Sequence, residues 1–310
     1  CNVRPQPVEF TSPWFAYVTS MSHERLETSL EIDRASALEI VRIISAQDQT
    51  VASAVAAEEA PIAQAIDAIA DRMRSSGRLF YVGAGTSGRI AMLDASELPP
   101  TYGIDPDLVQ VIMAGGDKAY FHAVEGAEDS EEDAVQQIST RVRPEDSVVG
   151  IAASGSTPFT VTAIRRANMQ GALTVGVTSV RDSFLSRECD IPIAAVTGPE
   201  VILGSSRMKS GTAQKMILNM ISTGVMIRLG KVYSNLMVEM PATNRKLRAR
   251  GVLMVELAAG CDRQTAENLI ERADGEITTA IIMLRKNLGA AAAREVLSRS
   301  PGGLREALEG

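Results

Sequence analysis

The 310-residue sequence predicts an α/β fold: a five-stranded parallel sheet covered by helices on both faces, with a small helical tail. Three observations carry this reading. Five short runs rich in Val and Ile occur at 79–83, 108–114, 147–153, 173–179 and 191–196, nearly continuous in apolar residues, as strands buried on both faces are. Amphipathic or Ala-rich stretches long enough for crossover helices separate them, and such alternation specifies a parallel sheet. After Gly204 the pattern is helical only.

Taken in order, residues 1–20 hold four of the twelve aromatics (Phe10, Trp14, Phe15, Tyr17) without a helical period. They read as a non-native or disordered extension ahead of Met21, with no signal-peptide pattern. Residues 33–75 are helical, with Leu38, Ile40, Val41, Ile43 and Ile44 on one broad face and an Ala-rich segment after them. The strands follow. A long apolar helix is predicted over 206–229, where Met216, Ile217, Met220, Ile221 and Met226 recur at three- and four-residue spacing, a packing surface for core or dimer. Residues 253–308 read as short helices broken at Gly260, Gly275, Gly289 and Pro301 to Gly303. The expected division is a sheet domain with its N-terminal helices at 21–245 and a helical domain at 246–310.

Composition narrows the function. With 31 basic and 38 acidic residues the formal charge is −7, unsuited to a non-specific nucleic-acid binder, which clusters Lys and Arg against phosphates. Glu58, Glu59 and Asp67 interrupt the longest apolar stretch, well short of the ~20 residues that span a bilayer, so no membrane association is expected. Cys1, Cys189 and Cys261 form no CxxC and predict no disulfide framework, which fits a soluble protein of the reducing cytoplasm. Two histidines, His23 and His122, leave little for a zinc site or a Ser–His–Asp hydrolase.

Ligands of open parallel sheets bind beyond the carboxyl ends of the strands. Three such ends carry similar residues: Gly83-Ala84-Gly85-Thr86-Ser87-Gly88, Ala153-Ser154-Gly155-Ser156-Thr157 before Pro158, and Gly204-Ser205-Ser206-Arg207-Met208-Lys209. Glycines let backbone amides approach an anion, hydroxyls donate, and helix N-termini add partial positive charge. The first loop also fits the dinucleotide pattern G-x-G-x-x-G, with Asp105, Asp107 or Asp117 as the ribose-binding acid. A dinucleotide site does not need the second Ser/Thr loop, whereas a phosphate monoester on a small molecule suits the set, and a phosphosugar is the simplest such ligand.

With His scarce, carboxylates must do the acid–base work. Glu97 precedes Pro99-Pro100, expected to end the helix that begins at Ser87. A straight helix puts it about 15 Å from Ser87, so either the helix bends early or Glu97 serves a site shared with a second subunit. His122, Glu125 and Glu128, three residues apart, are expected on one face of a helix.

These same segments, with Leu93-Asp94-Ala95-Ser96-Glu97, Pro99-Pro100-Thr101-Tyr102-Gly103, Glu125-Gly126-Ala127-Glu128-Asp129, Gly150-Ile151-Ala152-Ala153-Ser154-Gly155 and Ala242-Thr243-Asn244, closely resemble the N-acetylmuramic acid 6-phosphate etherases. The resemblance runs from about Leu26 to the C-terminus, in order, and leaves out only the first twenty residues. It implies the sugar-isomerase (SIS) fold and a carbon–oxygen lyase that cleaves the lactyl ether of N-acetylmuramic acid 6-phosphate. The implied products are N-acetylglucosamine 6-phosphate and D-lactate, in the recycling of cell-wall amino sugars. It also implies a homodimer without metal or nucleotide cofactor. Residue by residue, it makes Glu97 the proton donor and Glu128 the second catalytic glutamate. Gly85, Thr86, Ser87, Ser154, Ser156 and Thr157 become substrate-binding residues, with Ser205, Ser206 and Lys209 lining the site.

Two other readings share that fold: a non-enzymatic sugar-phosphate sensor, which keeps the hydroxyl loops without needing both glutamates, and an aldose–ketose phosphate isomerase, which abstracts a C2 proton but expels no lactate.

Overall fold

The structure, a computed structural model, describes residues 25–242 and 244–310. The extension at 1–20, Met21, His23 and Thr243 lie outside the described residues. Five strands form one parallel sheet: β1 (Leu79–Gly83), β2 (Val109–Met113), β3 (Ser147–Ile151), β4 (Leu173–Thr178) and β5 (Ile191–Ala194). Each falls inside a predicted run, with the trimmed residues turning into loops. The spatial order is β2-β1-β3-β4-β5. Pro192, which cannot donate to a ladder, lies in the edge strand β5 and is exposed.

Three helices precede the sheet: α1 (Ala37–Asp48), α2 (Val51–Ala56) and α3 (Glu59–Arg74). Ser36 and Glu39 close a capping box at the start of α1. The crossovers are α4 (Gly85–Tyr102), α5 (Glu131–Arg141), α6 (Pro158–Met169) and α7 (Phe184–Glu188), and α8 (Lys209–Arg228) follows β5. The tail holds α9 (Arg245–Ala259), α10 (Arg263–Arg272), α11 (Ile277–Lys286), α12 (Ala290–Ser298) and α13 (Gly303–Glu309). α9 starts earlier than the predicted tail because Asn244 caps it, its side chain accepting from the Leu247 amide at 2.9 Å.

Alternation along the strands sorts the core into two layers. Leu79, Tyr81, Val149, Ile151, Val175 and Val177 face α2, α3, α4 and α8. Phe80, Val82, Ile112 and Val148 face α5, α6 and Leu185 of α7. A third apolar cluster, from Val238 to Ala307, unites the tail helices. Because β1 leads outward to β2 and β3 returns on its other side, α4 and α6 leave adjacent strands toward opposite faces. The crevice between their first turns is the topological switch point of the sheet.

Two local expectations fail. Pro99 and Pro100 do not end α4, which continues to Tyr102 and stops at Gly103, at φ +62°. Prolines at these positions deprive only the Ala95 and Ser96 carbonyls of their helical donors. The last turn is held by the Thr101 hydroxyl donating to the Glu97 carbonyl at 2.6 Å, by the Gly103 amide on the Pro99 carbonyl at 2.9 Å, and by buried Leu98 and Tyr102. His122, Glu125 and Glu128 do not share a helix face either. Residues 121–126 are turns, a bend and irregular chain, Gly126 sits at φ +72°, and only Ala127–Asp129 forms a short 3-10 turn. Gly126 in the left-handed region breaks the helix that the three-residue spacing suggested.

Candidate functional site

β1 and β3 pair in register, Gly83 opposite Ile151, so the two loops at the switch point leave the sheet side by side. In the first, Ala84 is extended and Gly85, at φ +53°, starts α4. The first intrahelical bond runs from the Gly88 amide to the Ala84 carbonyl at 3.2 Å, leaving the amides of Gly85, Thr86 and Ser87 ahead of the ladder. Ser87 is buried. A Cβ on Gly88 would lie 2.1 Å from Met113 Sδ and 2.9 Å from the Gly83 carbonyl oxygen. The glycine spacing thus serves close packing of α4 on β1, which a dinucleotide fingerprint and a phosphosugar loop both need.

The second loop is braced from outside. Gly155 sits at φ +64°, and its carbonyl accepts from the Leu185 amide at 2.9 Å. Ser154 Oγ accepts from the Ser156 amide at 3.2 Å and from the Ser156 hydroxyl at 2.8 Å, folding the two serines over the turn. Thr157 occupies the N-cap of α6 without a side-chain cap, so the first-turn amides of α6 are not covered by its hydroxyl. A Cβ on Gly155 would lie 2.2 Å from Ser183 Oγ. Gly155→Ala should therefore cost about 1–3 kcal/mol from the backbone alone and weaken phosphate binding, measured by thermal unfolding and by inorganic phosphate inhibition.

The third loop differs from what its sequence suggests. Glu200, absent from the sequence-based candidates, caps α8: its two carboxylate oxygens accept from the Lys209 and Ser210 amides, each at 3.0 Å. The helix N-terminus expected to grip an anion is thus occupied by the protein's own carboxylate. Ser205 is half-buried and Ser206 exposed. Lys209 is 2% exposed and donates through Nζ to Gln47 Oε1 of α1 at 3.0 Å. Its burial lowers the ammonium pKa, against the opposing pull of Glu200 and Asp48. The first turn of α8 still reaches the switch point, since a Cβ on Gly211 would lie 3.8 Å from Thr86 Cγ2.

The two glutamates fall in different places. Glu128 lies on the 3-10 turn beyond β2, exposed, and the adjacent Ala127 packs on the same apolar cluster as Ala84 of the first loop. Glu97 lies exposed on α4, which runs as one helix from Gly85 to Tyr102. Helix continues through the ten residues from Ser87 to Glu97, a rise of about 15 Å.

One turn before Glu97, buried Asp94 ties α4 to the rest of the molecule. Its carboxylate accepts from Tyr81 Oη at 2.9 Å, Asn219 Nδ2 at 2.6 Å and Ser222 Oγ at 3.0 Å. Burial, and then the Asp94 charge, push the Tyr81 phenol well above its ordinary range, so it stays a donor. Leu93, four residues before Glu97 on α4, and Met220 of α8 are 54% and 42% exposed.

Comparison with known proteins then bears on identity. The glucokinase regulatory protein N-terminal SIS domain matches residues 61–168, and the SIS domain matches 121–223. The N-acetylmuramic acid 6-phosphate etherase of Symbiobacterium thermophilum is 60% identical over 84% of this chain and 87% of its own length. That of Clostridium beijerinckii is 49% identical over 93% and 95%. The chain belongs to the N-acetylmuramic acid 6-phosphate etherase family.

Among solved structures, a phosphoheptose isomerase from Francisella tularensis aligns with 61% of this chain and all of its own at 18% identity and TM-score 0.47. The sugar isomerase domain of an RpiR transcription factor from Sphaerobacter thermophilus covers 59% of this chain and 89% of its own at 19% identity and TM-score 0.43. The Ser/Thr loops lie in segments that sequence alone marks out. Glu200 gave no such signal, because a carboxylate after Gly198-Pro199 reads as a solvated turn residue. Among the described residues, no group of three or more His, Cys, Asp or Glu is placed to hold a metal, and no helix is long and apolar enough to cross a membrane.

Proposed function

We propose that this chain cleaves the lactyl ether of N-acetylmuramic acid 6-phosphate by elimination and hydration, giving N-acetylglucosamine 6-phosphate and D-lactate. The observation that carries the reading is the pair of loops at the switch point, with Ser87, Ser154, Ser156 and Thr157 beside uncapped helix amides, in a chain of this family. Those donors match a phosphate monoester. With the phosphate held there, ring opening makes C1 an aldehyde and acidifies the C2 hydrogen. Glu128 removes that proton, Glu97 protonates the departing ether oxygen at C3, and lactate leaves. Water then adds across the C2–C3 double bond, its hydroxyl to C3 and a proton to C2. General acid–base groups of this kind each contribute about 100- to 10,000-fold.

The site is completed by a second copy of the chain. Glu97 stands about 15 Å down α4 from the loops of its own subunit. The exposed apolar side chains of Leu93 and Met220 on α4 and α8 support a homodimer that carries Glu97 of the partner subunit to those loops. The compartment is the cytoplasm and the role the recycling of peptidoglycan amino sugars. Stoichiometric release of D-lactate from N-acetylmuramic acid 6-phosphate tests the reading. A sensor would bind the sugar without turnover, and an isomerase would interconvert sugar phosphates without lactate.

A further inference from the structure

Gln214 of α8 is 2% exposed, and neither its amide nitrogen nor its amide oxygen has a partner among the described residues. A buried amide left with both ends unpaired is destabilising, and natural interiors rarely keep one without a use for it.

Its neighbours locate it. Four residues earlier on the same helix face, Ser210 Oγ lies 3.4 Å from Thr197 Oγ1 in the loop after β5. Three residues earlier, Gly211 faces Thr86 and Ile90 of α4, beside the loop after β1. Gln214 therefore lies on the sheet-facing stripe of α8, one turn below the helix start, between the loops that follow β1 and β5. In the order β2-β1-β3-β4-β5, that space is over the carboxyl ends of β3 and β4.

A second unpartnered polar atom lies at the carboxyl end of β4. The Ser179 hydroxyl is buried without a partner, one residue past β4. The Ser179 amide bonds to the Ala153 carbonyl at 3.0 Å, where the chain bends away from the end of β4 above the loop after β3. Val175 and Val177 pack on the α8 side, while Gly176 and Thr178 face Leu185, Cys189 and Gly155 on the other. The remaining unpaired hydroxyl of the sheet, Ser147, is at the amino end of β3.

We propose that Gln214 and Ser179 form a polar subsite on the α8 side of the crevice that reads an uncharged hydrogen-bonding substituent of the sugar, the acetamido group, while the switch-point loops hold the phosphate. An amide side chain can both donate to an acetamido carbonyl and accept from its N–H, and a hydroxyl can do either. This inference rests on the sugar-phosphate reading of the site and not on the etherase chemistry.

The test is Gln214→Met, close in volume and without polar ends. Calorimetric titration with N-acetylglucosamine 6-phosphate and with glucose 6-phosphate should show that the wild-type protein prefers the acetamido sugar. In the variant, affinity for that sugar should fall about tenfold, with glucose 6-phosphate unchanged, as Tm rises by about 2–4 °C on removal of the unpaired amide. Ser179→Ala, a smaller change, should lower the same preference. A wild-type protein that binds both sugars equally, or a Gln214→Met variant that keeps the preference or weakens both sugars together, would overturn the subsite. If the wild-type protein binds sugar phosphates but releases no D-lactate, the etherase reading fails while the titration still decides the subsite.

Discussion

Glu97→Ala and Glu128→Ala should each lower the rate of D-lactate release by about 100- to 10,000-fold while N-acetylglucosamine 6-phosphate still binds. The two defects should differ in kind. In the scheme above, exchange of the C2 hydrogen of N-acetylglucosamine 6-phosphate with solvent deuterium needs the base and no departing ether oxygen. Glu128→Ala should abolish that exchange, and Glu97→Ala should leave it standing. Equal loss of exchange in both variants would mean that the roles are not divided as assigned. Near-normal lactate release in either variant removes that glutamate from the chemistry. Both side chains are exposed on the single chain, so neither substitution opens a cavity, and folding should be unaffected.

Mixed dimers provide the second large effect. Glu97→Ala homodimers should be inactive, as should Ser154→Ala homodimers, whose second loop loses the oxygen that accepts from the Ser156 amide and hydroxyl. A heterodimer of the two contains one site with intact loops from one subunit and Glu97 from the other. Because a two-fold interface makes two equivalent sites, it should recover about half of the wild-type turnover. No recovery would place Glu97 and the loops of each site on one chain, which the unbroken helix α4 makes hard to achieve.

Much of this was legible in the sequence because it rests on short-range rules. Strands buried on both faces announce themselves as continuous Val and Ile runs, and Leu79–Gly83 was delimited to the residue. Glycine and hydroxyl loops at strand ends mark a switch-point site because few other residues permit such turns, as the left-handed Gly85 and Gly155 illustrate. What the sequence hid depends on tertiary partners. Pro99 and Pro100 read as a stop in sequence, since a helix that tolerates them needs Thr101 and a packed Tyr102, and neither contact is visible in the linear order. The even spacing of His122, Glu125 and Glu128 suggested a helix that Gly126 interrupts. Glu200 capping α8 and the unpaired Gln214 emerge only when segments distant in sequence are brought together.

The account turns on where the phosphate sits. A crystal structure of the dimer with N-acetylglucosamine 6-phosphate would test it most directly. The phosphate oxygens are expected within about 2.7–3.2 Å of donors from Ser87, Ser154, Ser156 and Thr157. C2 and C3 should then lie between Glu128 of that subunit and Glu97 of the partner subunit. A phosphate bound away from the switch-point loops, or sugar carbons out of reach of both carboxylates in every site, would contradict it.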